Sequence, residues 1–332
     1  LNGTCDDELV SGGEMSTEAA IDALVGAFDN VSLVALGERH WSREDAIFRL
    51  GLIRNPAFAQ KVNDIVVEFA NPRYQPVLDR FLYGAEVSSA ELNRVWRETT
   101  QPGMWDSPVY EEFIRAVRSV NETLPPRRRL RILAADCPVD WDNLDGDDAC
   151  GFDARDEFAA SVIREQILAS NRKALILFGA AHLYRNRPGT IIDRLRQDSK
   201  ATSFIVVPIA GPDLAIGMKA NRAFTSTPVL IRVEGALGAL EASAVLEKGG
   251  KRIEVVNGKP VFENGKPVFI PAFEAGVHLG DLIDACLYFG DKELEFVKPP
   301  SELYKGTDYG LEVQRRRSVL LKALGLDRHR ET

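Results

Sequence analysis

No apolar run in this chain approaches the roughly 20 residues that a bilayer-crossing helix needs. Positive charge is also short: the formal net charge is −8. That balance argues against nucleic-acid binding and against docking on anionic membrane. The basic cluster Arg315-Arg316-Arg317 falls on a helical pattern and reads as a solvated face. The chain has no G-x-S-x-G elbow, no Walker loop, and no G-x-G-x-x-G after its first strand. A serine hydrolase, a nucleotide phosphotransferase and a dinucleotide enzyme all lose ground on that account. Cysteine is scarce, with Cys5, Cys137, Cys150 and Cys286, and none has zinc-ribbon or C-x-x-C spacing. Cys137 and Cys150 flank an acidic loop and would pair in an exported protein, whereas Cys286 reads as a buried thiol. The chain begins with leucine, so a processed N-terminus is expected. Together with the Cys137/Cys150 pair, this leans toward export (periplasmic, lipoprotein or secreted).

Histidine is equally scarce. Of four histidines, two stand in one repeated pattern: an apolar strand, a glycine, then a histidine three residues on. The first instance is Val31–Leu36 followed by Gly37-Glu38-Arg39-His40. The second is Ala174–Phe178 followed by Gly179-Ala180-Ala181-His182. In an open parallel sheet the loops after the strand carboxyl ends lie along one edge, where ligands bind. His278 lies between Gly276 and Gly280 and reads as structural; His329 sits in a polar tail and reads as solvated.

Residues 1–16 look like a tail, and 17–332 like a single α/β domain. Short apolar strands near 31–36, 65–67, 130–136, 174–178, 203–207 and 285–290 alternate with helical patterns. That alternation predicts a mainly parallel central sheet flanked by helices. Between 245 and 273 the character changes. Asn257-Gly258-Lys259-Pro260-Val261-Phe262 is echoed by Asn264-Gly265-Lys266-Pro267-Val268-Phe269, which predicts an inserted β-hairpin or small meander.

Four strands in succession end in groups able to do chemistry. The first delivers Glu38, Arg39, His40 and Trp41; the second Glu68, with Arg73 soon after; the third Asp136, then Asp140 and Trp141; the fourth His182 and Tyr184. Taken singly, Glu38 equally suits a helix cap or an ion pair with Arg39. His182 alone suits a structural histidine, and Asp136 a turn. Glu68, at the end of an apolar strand, is harder to dismiss, because burying it unpaired is costly. Together they make a candidate acid–base or metal cleft for a small-molecule substrate. Candidate catalytic residues are His40, Glu38, Glu68, His182 and Asp136. Candidate substrate contacts are Arg39, Arg73, Trp41, Asp140, Trp141 and Tyr184. Two histidines with carboxylates would also suit zinc, manganese or iron, and the metal-free alternative stays open.

The set Gly37-Glu38-Arg39-His40, Glu68 and Gly179-Ala180-Ala181-His182 resembles the superfamily that joins erythromycin esterases, ChaN-type haem-uptake lipoproteins, and the Tiki and TraB proteases. The segment Asp284–Gly290 also looks like a late strand of that group, so the likeness spans about 31–290. The resemblance implies an α/β fold with these residues in one cleft. By the esterase branch, His40 would be the general base, assisted by Glu68 and His182, in a hydrolase of small esters, lactones or amides. By the Tiki branch, His40, Glu68 and His182 would hold a divalent metal in a peptidase. By the haem-uptake branch, the cleft would bind haem without catalysis, with Tyr184 a candidate axial ligand. Arg39 stands where a small residue is common, and it is expected to depress the His40 pKa unless a carboxylate neutralises it.

Overall fold

The apolar runs become strands covered on both faces. In the computed structural model, residues 17–143, 152–209, 227–246, 251–256, 259–263, 266–290 and 293–323 are described. Seven strands form one sheet: β1 (Leu33–Glu38), β2 (Asp64–Val67), β3 (Arg131–Ala134), β4 (Ala174–Gly179), β5 (Ser203–Ile209), β6 (Val229–Arg232) and β7 (Ala285–Tyr288). Their spatial order is β3-β2-β4-β1-β5-β7-β6. All neighbours pair in parallel except β6, which runs antiparallel to β7 at the edge. The expected α/β class and mainly parallel sheet are therefore what the chain adopts.

Parallel strands buried on both sides read as continuous apolar runs, and their residues still alternate between faces. In β1, Val34 and Leu36 join the core under the helices Thr17–Ala27, Arg43–Arg54 and Pro108–Thr123. Leu33 and Ala35 join the opposite core, under Phe152–Ile163 and Ile191–Leu195. Residues 75–123 form three helices, Gln75–Leu82, Ser89–Arg97 and Pro108–Thr123. The loop between the last two reaches the carboxyl edge of the sheet. The helix Phe152–Ile163 is continued by a π-helical turn, Arg164–Leu168.

The 245–273 region carries short antiparallel pairs: 251–253 with 269–271, 255–256 with 259–260, and 262–263 with 266–267. The two Asn-Gly turns lie outside the described residues, as do the tail 1–16, Cys5, Cys150 and His329. Cys137 is disulfide-bonded, and the expected partner Cys150 falls outside the described residues. Cys286 is a buried free thiol whose pKa burial pushes up to about 12. In the Arg315–Arg317 cluster, Arg315 and Arg317 are exposed, as a solvated face requires, and Arg316 departs from that reading. Arg316 is buried, with its guanidinium over the Trp141 ring. Among the described residues no helix is long and apolar enough to cross a membrane.

Candidate active site

The strand order places the carboxyl ends of β3, β2, β4 and β1 side by side. These are the four strands that deliver Asp136, Glu68, His182 and the Glu38/His40 pair.

Glu38 closes β1, and the chain turns through Arg39–Ser42 into the helix Arg43–Arg54. Ser42 caps that helix, accepting the Asp45 N–H at 3.2 Å. Within the turn Trp41 takes φ of 70°, a left-handed conformation that bulky residues rarely adopt. The turn sets His40 Nδ1 2.8 Å from Glu38 Oε1. A carboxylate can only accept, so Nδ1 carries the proton and Nε2 is left with its lone pair. The Glu38 carboxylate is buried. The Tyr110 hydroxyl donates to its Oε1 at 3.0 Å, and the buried Arg49 guanidinium pairs with its Oε2. The His40 ring meets Trp105 edge-on, with centroids 4.8 Å apart.

Glu68 follows β2 and stays in sheet register, its N–H bonding the Leu177 carbonyl at 3.1 Å. Oε2 accepts the Gly179 N–H at 2.7 Å. Oε1 accepts from Arg155 Nη2 at 2.8 Å and from Gln101 Nε2 at 3.1 Å. Burial pushes the Glu68 pKa up, but His182, Arg155, His40 and the Gly179 N–H outweigh it and bring the value down to about 2. Gly179 is needed here for space. A Cβ would stand 3.2 Å from His40 Cε1 and Nε2, and 3.4 Å from Glu68 Oε2. The His40 ring and the Glu68 carboxylate thus meet over one backbone position.

Asp136 holds this arrangement from behind. It accepts Arg155 Nε at 2.7 Å and the Thr100 N–H and hydroxyl at 2.8 Å. It therefore positions Arg155 and the 99–107 loop. His182 lies in a short 3₁₀ turn after β4. Its Nδ1 is 2.5 Å from Asp156 Oδ1, and its Nε2 is 3.6 Å from Glu68 Oε1. Burial lowers the His40 pKa from 6.5; Glu68 opposes that shift and Arg155 adds to it. The imidazole is consequently neutral, and basic at Nε2, near neutral pH. The cation acting on His40 is Arg155. Arg39 is neutralised, as its expected effect allowed, but by Asp45 rather than by Glu38 or Glu68.

The five candidate catalytic residues come together; the candidate substrate contacts divide. Arg39 donates to Asp45 through its N–H at 2.8 Å and its Nη2 at 2.7 Å, and stacks over Phe289. Arg73 and Asp140 pair with each other at 2.7 Å, both partly exposed. Trp141 is buried, donating to the Thr99 carbonyl at 3.2 Å. Tyr184 is buried in the opposite core, with its ring on Phe273. Of this group, Trp41 lines a cleft together with Gln101. His278 caps the helix Leu279–Leu282, as a structural histidine should.

Arg155, Asp156, Gln101, Arg49 and Tyr110 are the members that the sequence reading passes over. A signal existed for two of them. Arg155 and Asp156 stand four residues before Ala159 and Ala160, which are core residues, so all four share one inward stripe of the helix. Charged side chains on such a stripe must find partners.

A divalent metal does not fit these residues. Both Glu68 oxygens already accept protein donors, and a guanidinium fills the space between Glu68 and Asp136. Among the described residues no three His, Cys, Asp or Glu side chains form a set able to hold a metal ion. Haem ligation by Tyr184 does not fit either, because its ring is enclosed in the core.

No family model and no curated protein matches the chain. Solved structures do. A Bacillus cereus protein aligns over 85% of this chain and 95% of its own, at 10% identity and a TM-score of 0.52. A mutant of erythromycin esterase EreC in its open conformation aligns over 83% of this chain and 94% of its own, at 11% identity and a TM-score of 0.54. The haem-binding ChaN of Campylobacter jejuni reaches a TM-score of only 0.36, over 56% of this chain and 84% of its own, at 16% identity. The chain is thus similar in fold to erythromycin esterase EreC and to the Bacillus cereus protein.

Proposed function

We propose that this chain is a hydrolase of small esters, lactones or amides in which His40 activates water. The observation that carries the reading is the Glu38–His40 contact of 2.8 Å, with the opposite imidazole nitrogen held beside Gly179 and Glu68. A buried carboxylate fixes the ring and its tautomer, as a general base requires. His40 Nε2 takes a proton from water as the water oxygen attacks the carbonyl carbon. The imidazolium so formed is stabilised by Glu38 through Nδ1–H and by the Glu68 charge. It then returns the Nε2 proton to the departing alkoxide or amine, so protons balance over the cycle. Arg155, Gln101 and the Gly179 N–H keep Glu68 ionised and in place. His182, backed by Asp156, braces Glu68 from the other side. Fold likeness to an esterase supports this by analogy alone.

The test is a hydrolysis panel of p-nitrophenyl butyrate, a δ-lactone and a p-nitroanilide, run with wild type and His40→Ala. At least one substrate should turn over, and His40→Ala should lose roughly 10³-fold in kcat, the usual share of a general base. Equal rates in the two proteins, or no turnover across the panel, would sink the reading.

A further inference from the structure

A cleft of about 470 Å³ shares Trp41, the residue after His40, and Gln101, a partner of Glu68, with the surroundings of the site. Trp41, Met104 and Tyr304 give it apolar walls, Gln101 joins it to the site, and Lys298 and Arg317 supply charge. Gln101 belongs to both places, since its Nε2 donates to Glu68 Oε1. Trp41 directly follows His40 in the chain.

The two cations are held but not neutralised. Val297 donates its N–H to the Trp41 carbonyl at 2.8 Å, which seats Lys298 on the rim. Arg317 donates Nε to the Pro102 carbonyl at 3.2 Å. It is the odd member of its cluster, because Arg315 and Arg316 both pair with Glu312. Among the described residues neither Lys298 nor Arg317 has a carboxylate partner. In a chain of net charge −8, two uncompensated cations on one small cleft call for an anionic ligand.

Resting on the hydrolase reading above, we infer that the cleft is a substrate subsite for an amphipathic acid. The scissile carbonyl lies at His40, the apolar body lies against Trp41, Met104 and Tyr304, and a carboxylate or phosphate group meets Lys298 and Arg317. An arginine fork beside a lysine suits either anion, and charge-assisted hydrogen bonds are the stronger kind.

Calorimetric titration tests this on the full chain with three matched probes: 4-phenylbutyrate, 4-phenylbutyl phosphate and the neutral 4-phenylbutanamide. Wild type should bind at least one anion about 10-fold more tightly than the amide, the scale of one charge-assisted contact. Whichever anion is favoured identifies the group. The preference should vanish in the Lys298→Met/Arg317→Met double variant, whose replaced side chains are exposed, and should shrink in high salt. Equal binding of anion and amide, a preference that survives in the double variant, or no binding of any probe overturns the subsite. A charge preference in a protein that hydrolyses none of the panel sustains the subsite while the hydrolase reading fails. Hydrolysis without the preference does the reverse.

Discussion

Glu38–His40 and Asp156–His182 are the same chemical pair in two surroundings. In each, Nδ1 of the imidazole faces a carboxylate oxygen, at 2.8 Å and 2.5 Å. The His40 side chain is 29% exposed and the His182 side chain 6%. The acid behind His40 is held by Arg49 and Tyr110, and the second imidazole nitrogen lies beside Gly179. The acid behind His182 has its pKa raised, chiefly by burial, with His182 and Arg155 opposing, and the second nitrogen of His182 is turned to Glu68. The His40 ring is the more exposed of the two, and the His182 ring is enclosed with its Nε2 facing Glu68. An acid–histidine contact therefore does not by itself make a base: access at the second nitrogen does.

The strongest way to break this contrast is to remove each imidazole in turn. His40→Ala should lose roughly 10³-fold in kcat on the best panel substrate, with Tm nearly unchanged. His182→Ala should do the opposite. It leaves Asp156 and one side of Glu68 buried without their partner, which costs about 1–3 kcal/mol and lowers Tm. Its activity should fall far less, about 10-fold, through loosened positioning of Glu68. Equal activity losses with equal Tm losses would erase the distinction between base and brace.

Gly179→Ala sharpens the contrast without touching either histidine. The new Cβ would press on His40 at 3.2 Å and on Glu68 at 3.4 Å. An imidazole displaced by less than 1 Å can lose about 10²-fold in rate. Steady-state kinetics on the folded variant should show that loss in kcat; a wild-type rate would place the reacting atoms elsewhere.

The smallest expected effect is in the pH profile. Only neutral His40 can accept a proton, and burial lowers its pKa from 6.5. Activity should therefore be lost as pH falls through a value below 6.5, not at or above it. Glu68, held near 2, stays ionised throughout that range and adds no second limb. A kcat/KM limb above 6.5 would assign the titration to another group.

Much of the edge could be read from residues alone. The two glycine-histidine loops, Glu68 and Asp136 all stand where apolar strands end, and β1 to β4 run where such runs predict them. The side chains that tune these groups were less legible. Arg49 and Arg155 lie on helices where long cations ordinarily face water, yet both are buried against acids. Arg39, adjacent to His40 in the chain, turns instead to Asp45. Thr100 and Gln101 lie in an irregular loop whose path no local periodicity describes, and they reach Asp136 and Glu68 all the same.

Residue order settles the local part: which segments are strands covered on both faces, and which polar residues wait at their ends. Side-chain period and turn chemistry act over a few neighbours, so they are written in the chain directly. Long-range packing inserts β4 between β1 and β2, which brings His182 against Glu68 and Gly179 under His40. That choice depends on pairing between segments more than 100 residues apart, such as Glu68 with Gly179. Pairing of that kind is set by how two whole helical layers cover one sheet, and no local pattern records it.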